Sequence, residues 1–390
     1  NVTLNENLAS INKKAFYMAQ IAAVNIPASV VTIDESAFEG SALQTITFEV
    51  IGSRLAYINA KAFFGTAITS VSVPAGVLAI GDYAFANNLS LASVTFAVAA
   101  QLVNIGDSAF RGNTAITAIT FPASLRYIGD YAFEGCENLA GITFAAGSAL
   151  ETLGDYAFAH TKVSTVALPA SALEIGDYAF AHTLLSSISF GTNSALARVG
   201  SYAFAHSNLA TFAIPSGVTY MGVNPFYETP VSGLNLSGYR SGYKVVSGVL
   251  FSKDGSVLIS YPKSLNAASY TVPDGVVRID AYAFASNTYL QTVSLPSGLL
   301  SIGFAAFKDC ANLDTVSFRG GPSLLVIEYE AFYNCANLRI FDIPSTLTRI
   351  EEKAFAETDR LIALNLEGCE ELTYIGDYAF ENSGIAFARL

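Results

Sequence analysis

An Ile, three residues and then Ala-Phe recur along this chain, and that period constrains the fold more than any other feature. The motif reads I-G-D-Y-A-F from Ile80 to Phe85, Ile128 to Phe133, Ile175 to Phe180 and Ile375 to Phe380. Its phenylalanines run from Phe16 to Phe380 with spacings of 22, 25, 22, 25, 23, 25, 22, 24, 22, 58, 23, 25, 23 and 25 residues. Short and long coils alternate, and the spacing of 58 reads as a long coil carrying about 33 extra residues by subtraction. A period of this size means a solenoid in which each coil packs only on its neighbours. Counting domains from a length of 390 residues therefore loses its force.

Between the phenylalanines runs a second pattern, L-x-x-V-x-F or L-x-x-I-x-L-P, as at Leu43, Ile46 and Phe48 or Leu290, Val293 and Leu295. Its last three residues alternate apolar, polar, apolar, which is strand periodicity. The intervening residues are mostly Thr, Ser and Ala, so the outward face is small and polar. Short coils close the strand with proline, at Pro27, Pro74, Pro122, Pro169, Pro215, Pro296 and Pro344. Proline has no N–H for the next ladder rung and stops the strand at the same place each time. The I-G-D-Y-A-F block reads as a second short strand entering a turn of helix, with Asp82, Asp107, Asp130, Asp155, Asp177 and Asp377 as N-caps. Ala permits close approach of coils and Phe fills the core. Three residues beyond each Phe stands a small polar or thiol residue, as in Ser41, Asn88, Asn113, Cys136, Thr161 and Cys310, with only Ala19 departing. A buried column of such side chains can bond backbone groups the turns leave unpaired.

These residues resemble the BspA-like leucine-rich repeats, whose hallmark is L-x-x-I-x-L-P followed by I-G-x-x-A-F-x-x-C/N-x-x-L. The resemblance covers Val2 to about Phe387. It implies an α/β leucine-rich-repeat solenoid: right-handed, a parallel β-sheet with short helical turns, about fifteen coils and roughly 70 Å long at ~4.8 Å per strand. Residues 1–390 form one solenoid on this reading, with an inserted β-hairpin module at 227–270. Segment 239–273 looks like the V-x-x-G-V-L-Y-x-x-D-x-x-x-L-I-x-Y-P module such proteins carry. Read from its residues, it is a hairpin of Val249–Phe251, an Asp254-Gly255 turn and Val257–Ser260. The resemblance further implies a secreted or surface-anchored protein of mucosal or gut microbes, in a family whose members bind host matrix proteins, other cells or immune receptors.

Composition narrows the partners. The formal charge is −12 and the twenty Lys and Arg are scattered, which argues against nucleic acid and anionic membranes. Apolar content is 52%, yet no run of eighteen apolar residues escapes a polar break, so no membrane span is read. The four cysteines form no C-x-x-C pair. A start at Asn1 rather than Met fits removal of a signal peptide or lipoprotein leader, or an arbitrary boundary. Strand-like ends without a polar cap suggest that the native chain continues.

Candidate chemistry competes with structural duty throughout. His160, His182 and His206 stand two residues after a Phe in consecutive coils. They could be a metal site or proton sensor. Gly and Asn at the same place in other coils instead signal a backbone with φ > 0. The Asp column could be a calcium ribbon, but single carboxylates in a line do not converge on one point. The tyrosines after them, such as Tyr131 and Tyr156, could stack on sugars or lie half-buried along the coil edge. Cys310 and Cys335 fall in adjacent coils and are either bridged or, as is usual at such a site, free thiols. No nucleophile–base or paired-carboxylate constellation assembles without borrowing ladder or cap residues. The expectation is a non-enzyme without cofactor or metal, binding a protein or glycan. The binding candidates are Tyr227, Tyr239, Arg240, Tyr243, Lys244, Phe251, Lys253 and Tyr261, where the chain leaves the repeat and gathers Tyr and Arg. A structural spacer holding another domain off the cell is the rival reading.

Overall fold

The computed structural model describes residues 2–238, 242–366 and 368–389. The chain divides into two compact units, Asn1–Leu209 with Tyr220–Pro225 and Ala210–Thr219 with Phe226–Leu390. Both are built of parallel-strand turns.

In the first unit each turn contributes a longer strand and a two-residue strand. Ser70–Val73 is typical of the former, alternately exposed and buried. The two-residue strands form one ten-stranded parallel sheet from Ser10–Ile11 to Tyr220–Met221. The Ile of the repeat motif is its buried residue, with Ile80 in register with Ile58 and Ile105. The longer strands pair in small groups: Ser70–Val73 with Ser93–Phe96, Ala118–Phe121 with Gly141–Phe144, and Thr165–Leu168 with Ser187–Phe190. Proline explains the grouping. The N–H groups of Ala97, Ala145 and Gly191 donate to the carbonyls of Val73, Phe121 and Leu168. Pro74, Pro122 and Pro169 hold the equivalent place in the alternate turns and have no N–H to donate. The sheet divides where that rung is missing.

The expected helical turn is absent; no helix occurs among the described residues. Tyr83 and Asn87 flank Phe85 with φ of 56° and 57°, and Tyr156 and His160 flank Phe158 with the same values. Two left-handed residues four apart exclude a right-handed helix between them. The block instead folds as consecutive β-turns, with Ala84 N–H donating to Gly81 C=O and Ala86 N–H to Tyr83 C=O, both at 3.1 Å. Alternate amides reach across to the next turn. Tyr83, Phe85 and Asn87 donate to the carbonyls of Asp107, Ala109 and Arg111 at 2.9, 2.8 and 2.8 Å. The polar groups that a helix would have satisfied internally are satisfied between coils.

The acidic column has a different job from the expected N-cap, because there is no helix to cap. The Oδ1 atoms of Asp82, Asp107, Asp130 and Asp155 accept the backbone N–H of the aspartate one turn on, at 3.0, 2.9, 2.8 and 2.7 Å. Asp177 takes the N–H of Ser201 in the same way. Glycine lets this happen. A Cβ at Gly154 would lie 2.5 Å from Asp130 Oδ1 and 2.6 Å from the Asp130 nitrogen, and Gly106, Gly129 and Gly176 are as tightly confined. Close approach of coils thus depends on the Gly of the motif as well as on its Ala.

The core is a column of stacked rings. Phe38, Phe63, Phe85, Phe110, Phe133, Phe158, Phe180 and Phe204 are fully buried. Centroids from Phe38 to Phe133 are 5.1 to 5.3 Å apart. The ladder three residues on is buried and mostly bonded. Asn88 Oδ1 accepts from both the N–H and the hydroxyl of Thr66. Asn113 Oδ1 accepts from Asn88 N–H, and Cys136 Sγ donates to Phe110 C=O. Burial pushes the Cys136 thiol up to about 12, so it stays protonated and can donate.

The second unit repeats this plan. Phe284, Phe307, Phe332 and Phe355 stack at 4.6, 5.0 and 5.1 Å. Its short strands join an eight-stranded sheet ending at Tyr374–Ile375. Cys310 and Cys335 are free thiols, donating to Phe284 C=O and Phe307 C=O.

Candidate functional site

The inserted segment is more than a hairpin. Tyr243–Val246 and Val249–Ser252 pair antiparallel, and Val249–Ser252 pairs antiparallel with Val257–Ser260. The last of these strands then joins the parallel sheet, with Leu258 in register with Ile279. The turn falls at Asp254-Gly255, as the sequence indicated. Asp254 Oδ1 accepts from the Ser252 hydroxyl and from the Ser256 N–H and hydroxyl. Those bonds hold the carboxyl down at about 2. Gly255 supplies the left-handed backbone at φ 79°.

Tyr261 corrects the sequence reading of this region. Its N–H donates to Ala283 C=O as Phe284 N–H donates to Ala306 C=O, both at 2.7 Å. Its ring stacks on Phe284 at 4.9 Å. Tyr261 therefore occupies the Phe place of an additional turn, and the spacing of 58 holds two turns rather than one overlong coil. Of the eight proposed binding residues, Tyr261 and Phe251 are only 3% and 2% exposed. They belong to the core with Val249 and Leu258, and an aromatic that fills the core cannot contact a partner. Tyr227 and Tyr243 are half-buried, and Tyr227 packs edge-on against Tyr282 at 5.6 Å. Lys244 and Lys253 are exposed. Tyr239 and Arg240 lie outside the described residues.

The histidines form an exposed stack in the first unit, with centroids 4.6 and 4.4 Å apart and φ of 57°, 55° and 54°. The left-handed backbone is the one the Gly and Asn of other coils announced. His182, the middle ring, is held below the usual imidazole value by partial burial and then by the neighbouring histidines. Parallel rings send their lone pairs side by side rather than to one point. Zinc or nickel is expected to leave the melting temperature unchanged, since a native-state ligand raises it by mass action. A rise that disappears in His182→Ala would overturn this assignment. Beside them Tyr131, Tyr156, Tyr178 and Tyr202 stack at 4.8, 4.6 and 4.9 Å, so their faces are largely covered by one another.

A cavity of about 560 Å³ opens where the longer strands divide, between residues 93–100 and Ala118–Ala123. Val, Ala, Ser, Thr and Phe dominate its walls, with no titratable side chain. A second group escapes the sequence reading. The positions flanking the Leu of L-x-x-V are Ala, Ser or Thr through most of the first unit. Around Leu290, Leu313, Leu338 and Leu361 in the second they become Tyr289, Gln291, Asn312, Asp314, Asn337, Arg339, Arg360 and Ile362, six of the eight polar or charged. That departure from the repeat average was the available signal.

The BspA type leucine rich repeat region matches residues 1–112, 103–232 and 260–386, in six copies. The interval left between the last two contains Tyr243–Val246, Val249–Ser252 and all but the last residue of Val257–Ser260. Among solved structures, the chain is similar to a leucine rich cell surface protein from Faecalibacterium prausnitzii A2-165, at 26% identity and a TM-score of 0.65 over 96% of this chain and 92% of that one. A leucine-rich repeat protein from Eubacterium ventriosum ATCC 27560 aligns at 23% identity and a TM-score of 0.55, over 70% and 84% of the two chains. No curated protein sequence matches. With the family's repeat spanning nearly all of the sequence and its turns seen in both units, the chain belongs to the BspA-type leucine-rich repeat family.

Proposed function

We propose that this is an extracellular or cell-surface recognition and adhesion protein, binding host or microbial proteins or glycans through its repeat scaffold and catalysing nothing. The observation that carries this reading is how the polar residues divide. The Asp column and the Asn and Cys of the ladder join coil to coil, and most ladder Thr hydroxyls bond the Phe carbonyl of their own turn. What remains exposed varies along the chain, and variation on a fixed frame is what a binding surface needs. The cell-surface description of the Faecalibacterium relative supports the location. No helix among the described residues is long and apolar enough to cross a membrane.

The exposed part of the insertion is the place to test it. Excising residues 239–261 would remove the buried Phe251 and Tyr261, so point changes are cleaner. In a screen against host matrix proteins and glycans, the parent is expected to bind. Lys244→Glu combined with Lys253→Glu is expected to weaken that binding about tenfold, as reversed charges do at a contact. Equal binding by the variant would move the site off the insertion. A parent that binds nothing would favour the spacer, which the small Thr and Ser facing out from strands such as Thr45–Phe48 and Ser70–Val73 also suit.

A further inference from the structure

Gln291, Asp314 and Arg339 stand on consecutive rungs of the second unit. Asp314 N–H donates to Gln291 C=O at 2.8 Å, and Arg339 N–H donates to Asp314 C=O at 2.9 Å. Together with Thr292, Asn312, Asn337 and Arg360 they line a cavity of about 420 Å³ that carries no hydrophobic side chain. That is room for a small ligand.

Some of these groups are engaged and some are not. Arg339 clamps Asp314 through Nε and through an Nη2–Oδ2 bond of 3.0 Å. Asn312 and Asn337 each donate through Nδ2 to the preceding turn, to Thr288 C=O and Ala311 C=O, both at 2.6 Å. Their Oδ1 atoms remain open as acceptors. Gln291 is exposed and its side-chain amide has no partner among the described residues. Arg360 is exposed and makes no ion pair among the described residues, yet its charge is felt at Asp314, whose carboxyl is held below the usual range first by Arg339.

From this arrangement we infer that the cavity binds a carboxylated saccharide, with Arg360 taking the carboxylate and Gln291, Asn312 and Asn337 the hydroxyls. A guanidinium presents two parallel donors that match a carboxylate. Side-chain amides both donate and accept, as an array of hydroxyls requires. One uncompensated positive charge suits a monoanion. The Asp314 carboxylate in the same wall repels a dianion such as a phosphate monoester. With no apolar floor, the cavity does not suit a hydrophobic ligand. The inference rests on the recognition reading and gives it a ligand class.

The test is calorimetric titration of the full chain, at low salt, with 3′-sialyllactose, a trisaccharide that bears a single carboxylate. Saturable binding is expected, with a neutral galactose trimer and a tetraglutamate peptide each at least about tenfold weaker. Arg360→Gln is expected to weaken the acid about tenfold and Gln291→Ala about threefold. Both residues are exposed, so an unchanged melting curve will confirm that each variant folds. Lys162→Gln, an exposed lysine of the first unit, should change nothing. The inference is overturned if the acid does not bind, if the neutral trimer or the peptide binds as well, or if Arg360→Gln is silent. Should the acid fail while a matrix protein still binds, the recognition reading stands and only the saccharide assignment falls.

Discussion

Phe158→Ala is expected to lower the stability of the first unit by about 3–5 kcal/mol, the range for deleting a large ring from a core that cannot close over the hole. The ring is fully buried, stacked 5.3 Å from Phe133 and 5.5 Å from Phe180, with Phe121 edge-on at 6.2 Å. Collapse would require the neighbouring turns to approach one another. They are already at hydrogen-bonding distance: Tyr156, Phe158 and His160 donate to Asp177, Ala179 and Ala181 at 2.8, 2.8 and 3.0 Å. The cavity therefore persists. In a stack where each turn touches only its neighbours, a weakened turn also uncouples what lies on either side. Urea unfolding should show an earlier midpoint and a shallower transition than the parent. A loss below about 1 kcal/mol, the usual scale of a surface change, would mean that the ring column does not hold the turns together.

The features legible in the sequence are those in which one side-chain property has one structural consequence. Periodic Phe produces the ring column. In the first unit proline marks where the longer strands divide, because it lacks the N–H of that rung, whereas Thr315–Arg319 still pairs with Ile340–Phe341 ahead of Pro344. Gly, Asn and His sharing one position signal a left-handed backbone there. The helical turn misleads for the opposite reason. Asp followed by Tyr-Ala-Phe looks like a capped helix start, and a tyrosine gives no warning of positive φ. Tyr83, Tyr131, Tyr156, Tyr178 and Tyr202 nevertheless adopt φ of 55° to 58°, held there by bonds to the next turn. Such contacts are non-local, and local pattern does not report them.

The insertion is hard to read from sequence on similar grounds. L-I-S-Y-P shares little with I-G-D-Y-A-F, so Tyr261 does not look like a member of the ring column. Only its spacing of 23 residues from Phe284 hints at the role. Enrichment in aromatic residues suggests contact surface. Phe251 and Tyr261 are aromatic because they fill a core, and composition cannot separate the two cases. The polar group around Asp314 is visible in principle, since it breaks a run of small residues. Which of its side chains converge, and which are left without a partner, depends on the register between turns.

Gly154→Ala is expected to cost about 3 kcal/mol, at the upper end of overpacking, though it adds one methyl group to a loop. Gly154 has an ordinary negative-φ backbone that any residue could adopt, so conformation is not the issue. Space is. The added Cβ would sit 2.5 Å from Asp130 Oδ1 and 2.6 Å from both the Asp130 nitrogen and the Gly129 carbonyl carbon. Two of those atoms are backbone, which cannot swing aside. The third is the carboxylate oxygen that accepts the N–H of Asp155, so moving it breaks a bond between turns. Gly147, earlier in the same turn, makes the control. It has φ of 74°, and a methyl group there would meet nothing within 4 Å, so Gly147→Ala carries only the left-handed penalty of about 1–2 kcal/mol. Measured side by side by thermal melting, Gly154→Ala should be the more damaging. The reverse order would show that the turns have room to part, and that the glycine of the repeat serves flexibility rather than contact.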